Sequence, residues 1–139
     1  MVAVTSQIDP SSQTYGANRE RMLKFVERLR SLETRAQEAS AKRRATFEKR
    51  GQLLPTDRLN RLLDPGMPFL RLHTLANFGV DDPDQETSIP GASLIVGVGF
   101  VGGVRCMIWV DDSGISAGAM TTKSGDVALS LQMVCKRQK

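Results

Sequence analysis

The run of small and polar residues from 111 to 120 is the part of this chain best suited to bind a ligand through its backbone. It reads Asp-Asp-Ser-Gly-Ile-Ser-Ala-Gly-Ala-Met, between an apolar stretch typical of a strand and an amphipathic stretch typical of a helix. Small residues at such a junction expose backbone N–H groups, which suit a thioester oxygen or a phosphate. Lys123 follows closely and could add a positive charge for a phosphate. The alternative interpretation is a tight turn followed by an ordinary surface lysine.

Side chains offer much less for catalysis. His73 is the only histidine, which excludes a metal site built on several histidines, and we expect it to be structural. Cys106 and Cys135 lack the Cys-X-X-Cys spacing of zinc and redox sites. The acidic run at 81–86 lacks the glycine and the closing glutamate of an EF-hand, so a solvated loop is favoured over a calcium site. We therefore expect no metal site and no catalytic side chain, and any chemistry would fall to backbone amides.

Residues 97–102 spell Gly-X-Gly-X-X-Gly, the glycine pattern of dinucleotide-binding folds. That fold requires a helix to begin inside the motif, so that its N-terminal amides face the pyrophosphate. Here a β-branched and aromatic run at 104–110 follows instead. The pattern predicts two strands, at 92–100 and 104–110, joined by a hairpin turn at Gly102 and Gly103.

The elements that must position the loop are predicted from periodicity. A short helix follows Pro55, with Thr56 as its N-cap and an Asp-Pro-Gly stop at 64–66, and residues 69–73 alternate as a strand. A second amphipathic helix runs from about 121 to 136, with an inner stripe of Ala128, Leu131, Val134 and Cys135. Strand, loop and helix are the first three parts of a β-α-β unit, whose next strand would lie parallel beside 104–110. We therefore expect this chain to be incomplete as a folding unit.

The positive charge is concentrated in one segment. The chain has a net charge of +4, and residues 19–50 hold 11 Lys and Arg against 5 Asp and Glu. That segment contains neither Pro nor Gly, and its apolar residues recur at helical spacing from Met22 to Ala39, with Asn18 as the expected N-cap and Gly51 as the stop. The acidic residues interleaved along it favour a solvated helix that packs on a partner subunit over one that binds nucleic acid.

The predicted organisation has three parts: a flexible arm at 1–18, a long basic helix at 19–51, and an incomplete domain at 52–139. No apolar run approaches the roughly 20 residues of a membrane-spanning helix, and the first residues carry no secretory signal. We expect no membrane association.

Residues 49–70, which read Lys-Arg-Gly-Gln-Leu-Leu-Pro-Thr-Asp-Arg-Leu-Asn-Arg-Leu-Leu-Asp-Pro-Gly-Met-Pro-Phe-Leu, resemble the N-terminal region of carboxyltransferase (β) subunits of biotin-dependent acyl-CoA carboxylases. The methylcrotonyl-CoA and geranyl-CoA branch is the most similar, with the propionyl-CoA enzymes in the same group. The order continues with Ile-Pro-Gly-Ala at 89–92, the hairpin, Val-Asp-Asp at 110–112, and the small-residue loop and helix.

The resemblance implies an α/β fold of the crotonase type, built from β-β-α units, of which this chain holds the first part after its long helix. It also implies transfer of a carboxyl group from carboxybiotin, carried by a partner subunit, to an acyl-CoA whose enolate is stabilised by backbone oxyanion holes. The implied partners are the remainder of the carboxyltransferase subunit, the biotin carboxylase and biotin carrier subunit, and further copies of the full-length subunit. The implied location is the cytoplasm, or the mitochondrial matrix in a eukaryote. The alternative is a non-catalytic module that binds protein or RNA through the basic helix.

By the same resemblance, Ala117, Gly118 and Ala119 give backbone contacts to the CoA thioester, and Lys123 lies near its phosphates. Two departures limit this. The family usually has two glycines where this chain has Ala117 and Gly118, and its glycine-rich oxyanion turn follows the next strand, beyond Lys139. We therefore expect that the chain alone does not turn over substrate.

Overall fold

The computed structural model describes residues 6–137. The described residues form two compact units, one ending at Ser31 and the other beginning at Leu32. Residues 1–5 of the predicted arm and residues 138–139 of the predicted domain lie outside the described residues. The predicted division at 18/19 and 51/52 stays a prediction.

The long helix α1 spans Gln13–Ala41, so it begins five residues before the predicted cap at Asn18. Ser12 is the capping residue, because its hydroxyl oxygen accepts a hydrogen bond from the Tyr15 amide at 3.2 Å. The predicted continuous helix over 19–51 is wrong in its last third: the chain turns after Ala41, and a separate short helix α2 covers Arg44–Lys49. Gly51, at φ +65°, ends α2 as the stop that the sequence predicts.

The chain leaves the helical path of α1 directly after the buried residue Ser40 and its neighbour Ala41. Ser40 is almost fully buried, and its hydroxyl donates to the Asp112 carboxylate at 2.6 Å. The Arg43 amide then bonds back to the Ser40 carbonyl at 3.1 Å, which closes a tighter turn than an α-helix. This tertiary contact coincides with a break in the helix at Lys42 and Arg43, and helical structure resumes at Arg44 in α2.

Helix α3 spans Pro55–Leu62 and has Leu54 as its N-cap residue, with Pro55 at the first helical position. The predicted N-cap at Thr56 is therefore wrong by two residues, because the fixed φ of proline suits the first turn itself. Asp57 lies in the first turn and forms an ion pair with Arg44 of α2 at 2.9 Å. The buried Leu59 joins α3 to the core beside Ile95 and Ile108.

The sheet has three antiparallel strands in the order β1-β2-β3: Leu70–Leu72, Leu94–Val101 and Val104–Asp111. This confirms the predicted hairpin, with Val101 opposite Val104 and the two turn glycines at φ +59° and +78°. Two positive φ values are the signature of the tight hairpin turn that glycine allows.

The Gly-X-Gly-X-X-Gly pattern has a packing role rather than a nucleotide-binding one. A Cβ on Gly97 would collide with the Leu70 carbonyl oxygen and would lie 2.7 Å from the Phe69 ring. A Cβ on Gly99 would lie 2.5 Å from the Leu63 side chain. Strand β2 therefore needs glycine at position 97, where the backbone of β1 is in the way, whereas at position 99 the Leu63 side chain packs on the space that a Cβ would occupy.

Helix α4 spans Ser124–Arg137 and packs on the sheet through Val127 and Leu131, which join a buried cluster with Ala92 and Val96. Of the predicted inner stripe, Leu131 is buried, whereas Val134 is 43% exposed and Cys135 is exposed. The predicted stripe is therefore partly wrong, because the side of α4 that packs on β2 is the one that carries Val127. The predicted arrangement of a β-β-α unit after a long helix is confirmed.

Candidate functional site

The predicted ligand-binding loop forms a tight left-handed turn between β3 and α4. Ser116, Ala117 and Gly118 have φ values of +48°, +53° and +82°, and all three are exposed. The amide of Gly118 donates to the Ile115 carbonyl at 3.2 Å, and the amide of Ala119 donates to the Ser116 carbonyl at 2.9 Å. A ligand oxygen at these two amides must therefore share or replace hydrogen bonds of the turn.

The base of the turn is held by the buried carboxylate of Asp112, which sequence reasoning did not single out. One carboxylate oxygen accepts from the Ser40 hydroxyl at 2.6 Å and from the Gly114 amide at 3.1 Å. The backbone amide of Asp112 donates to the Ser93 carbonyl at 2.8 Å. Hydrogen bonds to a carboxylate are among the stronger ones in proteins, so Asp112 fixes where the turn begins.

Gly114 is the second anchoring residue. It is buried, and a Cβ at this position would lie 2.9 Å from both the Cα and the carbonyl oxygen of Ser40. The end of α1 and the turn after β3 are thus in backbone contact. The Asp-Ser-Gly signal at 112–114 marks a turn in the sequence, but its partner Ser40 is 72 positions away.

Ala117 lies at the position where the resembling family has the first of two glycines. Its backbone is left-handed, at φ +53° and ψ +26°. A residue with a Cβ is disfavoured there by about 1–2 kcal/mol, which glycine avoids. The turn therefore has the backbone conformation that glycine favours, although this chain has alanine at position 117.

Lys123 immediately precedes α4, whereas the sequence places it in the first helical turn. Its ammonium group forms an ion pair with Asp126 at 2.8 Å, and the hydrogen bond to that carboxylate raises the pKa of Lys123. The side chain is 43% exposed, so a phosphate can reach it but must compete with Asp126. A surface lysine remains the alternative interpretation.

A second set of hydrogen bonds holds the segment between the turn and α4. The Asp81 carboxylate accepts hydrogen bonds from the Thr122 hydroxyl and from the Asn77 side-chain amide at 3.0 Å. These bonds hold the pKa of Asp81 below its ordinary value. Ser124 donates to the Ala92 carbonyl at 3.0 Å and accepts from the Thr121 amide at 2.9 Å. The acidic loop, predicted to be only solvated, thus also positions the start of α4.

Within residues 6–137 there is no cluster of three or more His, Cys, Asp and Glu side chains that could hold a metal ion. The same part of the chain contains no helix that is both long and apolar enough to cross a membrane. His73 lies outside the turn, with its Nε2 atom 2.8 Å from the Ser130 hydroxyl.

Comparison with known proteins shows which family this chain is similar to. The sequence profile of the family described as "Carboxyl transferase domain" matches residues 47–138. The chain is 41% identical over 93 residues to the biotin-dependent 3-methylcrotonyl-coenzyme A carboxylase beta1 subunit of Mycobacterium tuberculosis, covering 62% of this chain and 17% of that protein. It is 30% identical over 115 residues to a probable mitochondrial methylcrotonoyl-CoA carboxylase beta chain of Drosophila melanogaster, covering 82% of this chain and 19% of that protein.

Solved structures agree with the predicted fold. The beta subunit of geranyl-CoA carboxylase from P. aeruginosa superposes with a TM-score of 0.84 at 37% identity, covering 97% of this chain and 25% of that one. The transcarboxylase 12S core, described as a hexamer with methylmalonyl-coenzyme A bound, shares the fold with a TM-score of 0.59 at 18% identity, covering 91% of this chain and 23% of that one. The chain thus spans about a fifth of the length of these relatives, in agreement with the prediction of a partial subunit. Its sequence and its fold place it in the carboxyl transferase domain family.

Proposed function

We propose that this chain supplies part of the CoA site of an acyl-CoA carboxyltransferase, which transfers a carboxyl group from carboxybiotin to an acyl-CoA. The observation that carries the proposal is the left-handed turn at Ser116–Gly118, held at the β3–α4 junction by the buried Asp112 in a chain of this family. The turn presents its backbone on the surface, next to the start of a helix. Such a place suits the oxygens of a thioester or a phosphate.

Three backbone amides and the side chain of Lys123 have defined parts in this proposal. The amides at Ala117, Gly118 and Ala119 donate to the CoA thioester. Of the two hydrogen bonds within the turn, the one from the Gly118 amide is the longer, at 3.2 Å, and is the more easily replaced by a ligand oxygen. Lys123 leaves Asp126 to pair with a CoA phosphate. Biotin would be brought by a partner subunit, and we assign it no contact within residues 6–137.

The partners proposed are the remainder of the carboxyltransferase subunit, a biotin carboxylase and biotin carrier subunit, and further copies of the full-length subunit. Apolar surface on both units supports such assembly. In the unit that ends at Ser31, Met22 and Phe25 are 60% and 62% exposed. In the other unit, Leu70 is 63% exposed and lies with Val134 along a groove of about 520 Å³. Mitochondrial relatives support the mitochondrial matrix as the location in a eukaryote, and we propose the cytoplasm otherwise.

The test is to measure acyl-CoA binding to the purified chain by calorimetry at fixed ionic strength. Lys123→Gln should weaken acyl-CoA binding by roughly two- to fivefold, the size expected of an exposed ion pair. The matched control is Lys136→Gln, which removes an exposed lysine near the other end of α4 and should leave the affinity unchanged. No acyl-CoA binding, or equal losses in the two variants, would refute the assigned site. Carboxylation by the chain alone would refute the prediction that it is inactive without its partners.

The second candidate is a non-catalytic module that uses the basic helix, and the exposed Met22 and Phe25 favour a protein partner for it over RNA. RNA binding that falls steeply with salt and does not respond to acyl-CoA would favour this alternative.

A further inference from the structure

The first half of α1 carries apolar side chains that no described residue of its own unit covers. That unit ends at Ser31, and every residue from 13 to 31 is exposed apart from the half-buried Val26. A helix of a folded protein gains most of its stability by packing an amphipathic face against something else. An uncovered apolar face on such a helix therefore indicates an interaction surface.

Five apolar residues fall on one side of this helical segment, here named the α1 stripe: Tyr15, Met22, Phe25, Val26 and Leu29. At about 3.6 residues per turn they lie within an arc of about 100°. Tyr15, Met22 and Leu29 follow one another at steps of seven, and Phe25 falls between the last two. This is the a and d spacing of a helix that pairs with another helix, so the expected partner is itself helical.

Arginines border the α1 stripe on both sides. All four are exposed, and two follow each edge: Arg21 and Arg28 on one side, and Arg19 and Arg30 on the other. The two glutamates of the segment, Glu20 and Glu27, lie on the far side of the helix. Both edges of the stripe are therefore positive.

The charge of these edges decides between a second copy of this chain and a different chain. Two copies of the α1 stripe would place arginine edges against arginine edges, and like charges across an interface are unfavourable. A helix with Asp or Glu along its edges would instead accept charge-assisted hydrogen bonds from the guanidinium groups. The edges therefore favour an acidic helix of a different chain.

A basic amphipathic helix can also bind an anionic membrane surface, but two features favour a protein. The edges carry arginine rather than lysine, and arginine, methionine and aromatic residues are the types enriched in protein interfaces. The apolar spacing also continues along the sequence to Leu32 and Ala36, which are buried in the protein interior of the other unit. The pattern is thus one that packs on protein in the same helix.

We propose that the α1 stripe docks an acidic amphipathic helix of another protein chain. Met22, Phe25 and Leu29 supply the apolar contacts, and Arg19 and Arg21 pair with carboxylates along the two edges. The proposal rests on the proposed function, because the partner is another chain of the same carboxylase assembly, and it adds the secondary structure and the charge of the partner surface.

The test is the binding of a designed peptide to the 139-residue chain, measured by fluorescence anisotropy at fixed ionic strength. The acidic probe has about four heptads, with Leu at positions a and d and Glu at positions e and g, so that it pairs with a basic helix rather than with itself. The basic control probe has Lys in place of each Glu. The acidic probe should bind with a Kd below about 100 μM, and at least about tenfold more tightly than the basic one.

Variants locate the binding face. Phe25→Ala should weaken acidic-probe binding by about tenfold, and alanine favours a helix more than phenylalanine does, so the loss cannot come from unfolding of α1. The matched control is Leu23→Ala, because Leu23 is 47% exposed but lies outside the stripe, and it should leave binding nearly unchanged. Arg21→Gln should weaken binding by roughly two- to fivefold, whereas Lys24→Gln, farther from the stripe, should not.

Equal binding of the two probes, or equal effects of Phe25→Ala and Leu23→Ala, would overturn the proposal. Tighter binding to vesicles with about 30% phosphatidylserine than to the acidic probe would overturn it in favour of a membrane surface. A dimer of the chain alone that Phe25→Ala dissociates, seen by sedimentation, would overturn it in favour of a second copy. None of these outcomes changes acyl-CoA binding or its response to Lys123→Gln, so failure of the docking and failure of the proposed CoA site are distinguishable.

Discussion

Substitution of Gly114 by alanine tests whether the ligand-binding turn is held by contact with the end of α1. The added Cβ would lie 2.9 Å from the Cα and from the carbonyl oxygen of Ser40, and closer still to its hydroxyl. Two of these three neighbours are backbone atoms, which cannot rotate away as a flexible side chain can. Gly114 does not have a left-handed φ, so alanine is disfavoured there by space alone.

The expected cost follows from overpacking, which typically destabilises a protein by about 1–3 kcal/mol. At about 2.1 cal/mol/K per residue, a chain of 139 residues has an unfolding entropy of about 0.29 kcal/mol/K. A loss of about 2 kcal/mol therefore lowers Tm by roughly 7 °C, which thermal unfolding followed by circular dichroism resolves easily.

The matched control is Gly125→Ala, because a Cβ at Gly125 meets nothing within 4 Å and the residue lies in α4. Because Gly125 is the second residue of α4, that change should raise stability by less than the roughly 0.5–1 kcal/mol expected in the middle of a helix. Ser40→Ala removes the hydroxyl but leaves the Cα and carbonyl oxygen, so it should not rescue Gly114→Ala. A Gly114→Ala chain with unchanged Tm, or full rescue by Ser40→Ala, would show that the turn is not held by this backbone contact.

Three further predictions concern the left-handed turn, the hydrogen bond between Asp81 and Thr122, and the hairpin turn. Ala117→Gly should raise stability by up to about 1 kcal/mol in thermal unfolding, because glycine removes the strain of a left-handed backbone, whereas the control Ala119→Gly, at φ −66°, should lower stability by about 0.5–1 kcal/mol. Because hydrogen bonding lowers the pKa of Asp81, its hydrogen bond from Thr122 should stabilise the chain fully above the ordinary carboxyl pKa of about 3.9 and be lost as the pH falls through the lowered pKa of the folded chain. The Thr122 amide shift in an acid titration should follow that loss, and Asp81→Asn should flatten it. Asp64→Ala should cost about 1–2 kcal/mol in denaturant unfolding, because both carboxylate oxygens accept hairpin-turn amides at 2.7 Å, and unchanged stability would contradict this.

The features that sequence predicts well are those encoded by neighbouring residues. The hairpin is predicted because two β-branched runs flank Gly102 and Gly103, and all the information lies within 18 consecutive residues. Strand β1 at Leu70–Leu72 follows from the alternation at 69–73. The family is predicted from the resemblance at 49–70, because hydrophobic periodicity carries no information about the family.

The features that sequence misses depend on residues far apart in the chain. Asp64 is predicted only as part of a helix stop, yet it caps a turn 38 positions later. Ser40 lies 72 positions from Asp112, and their contact decides both where α1 ends and where the turn begins. A single sequence gives no sign of such pairs, because each member is ordinary in its own local context.

The error in the predicted inner stripe of α4 and the prediction of an incomplete unit have one physical cause. A helix that crosses between two parallel strands covers both of them, so it needs apolar residues toward each. In the structure Val127 and Leu131 cover β2, while Val134 and Cys135 line the groove with Val98 and Phe100. Within the described residues no strand pairs with the outer edge of β3. We infer that the second half of the stripe is apolar because it meets a strand placed there in the full-length subunit. Val134→Asp should therefore leave the stability of this chain nearly unchanged, yet destabilise a full-length subunit by several kcal/mol, since only there is the charge buried.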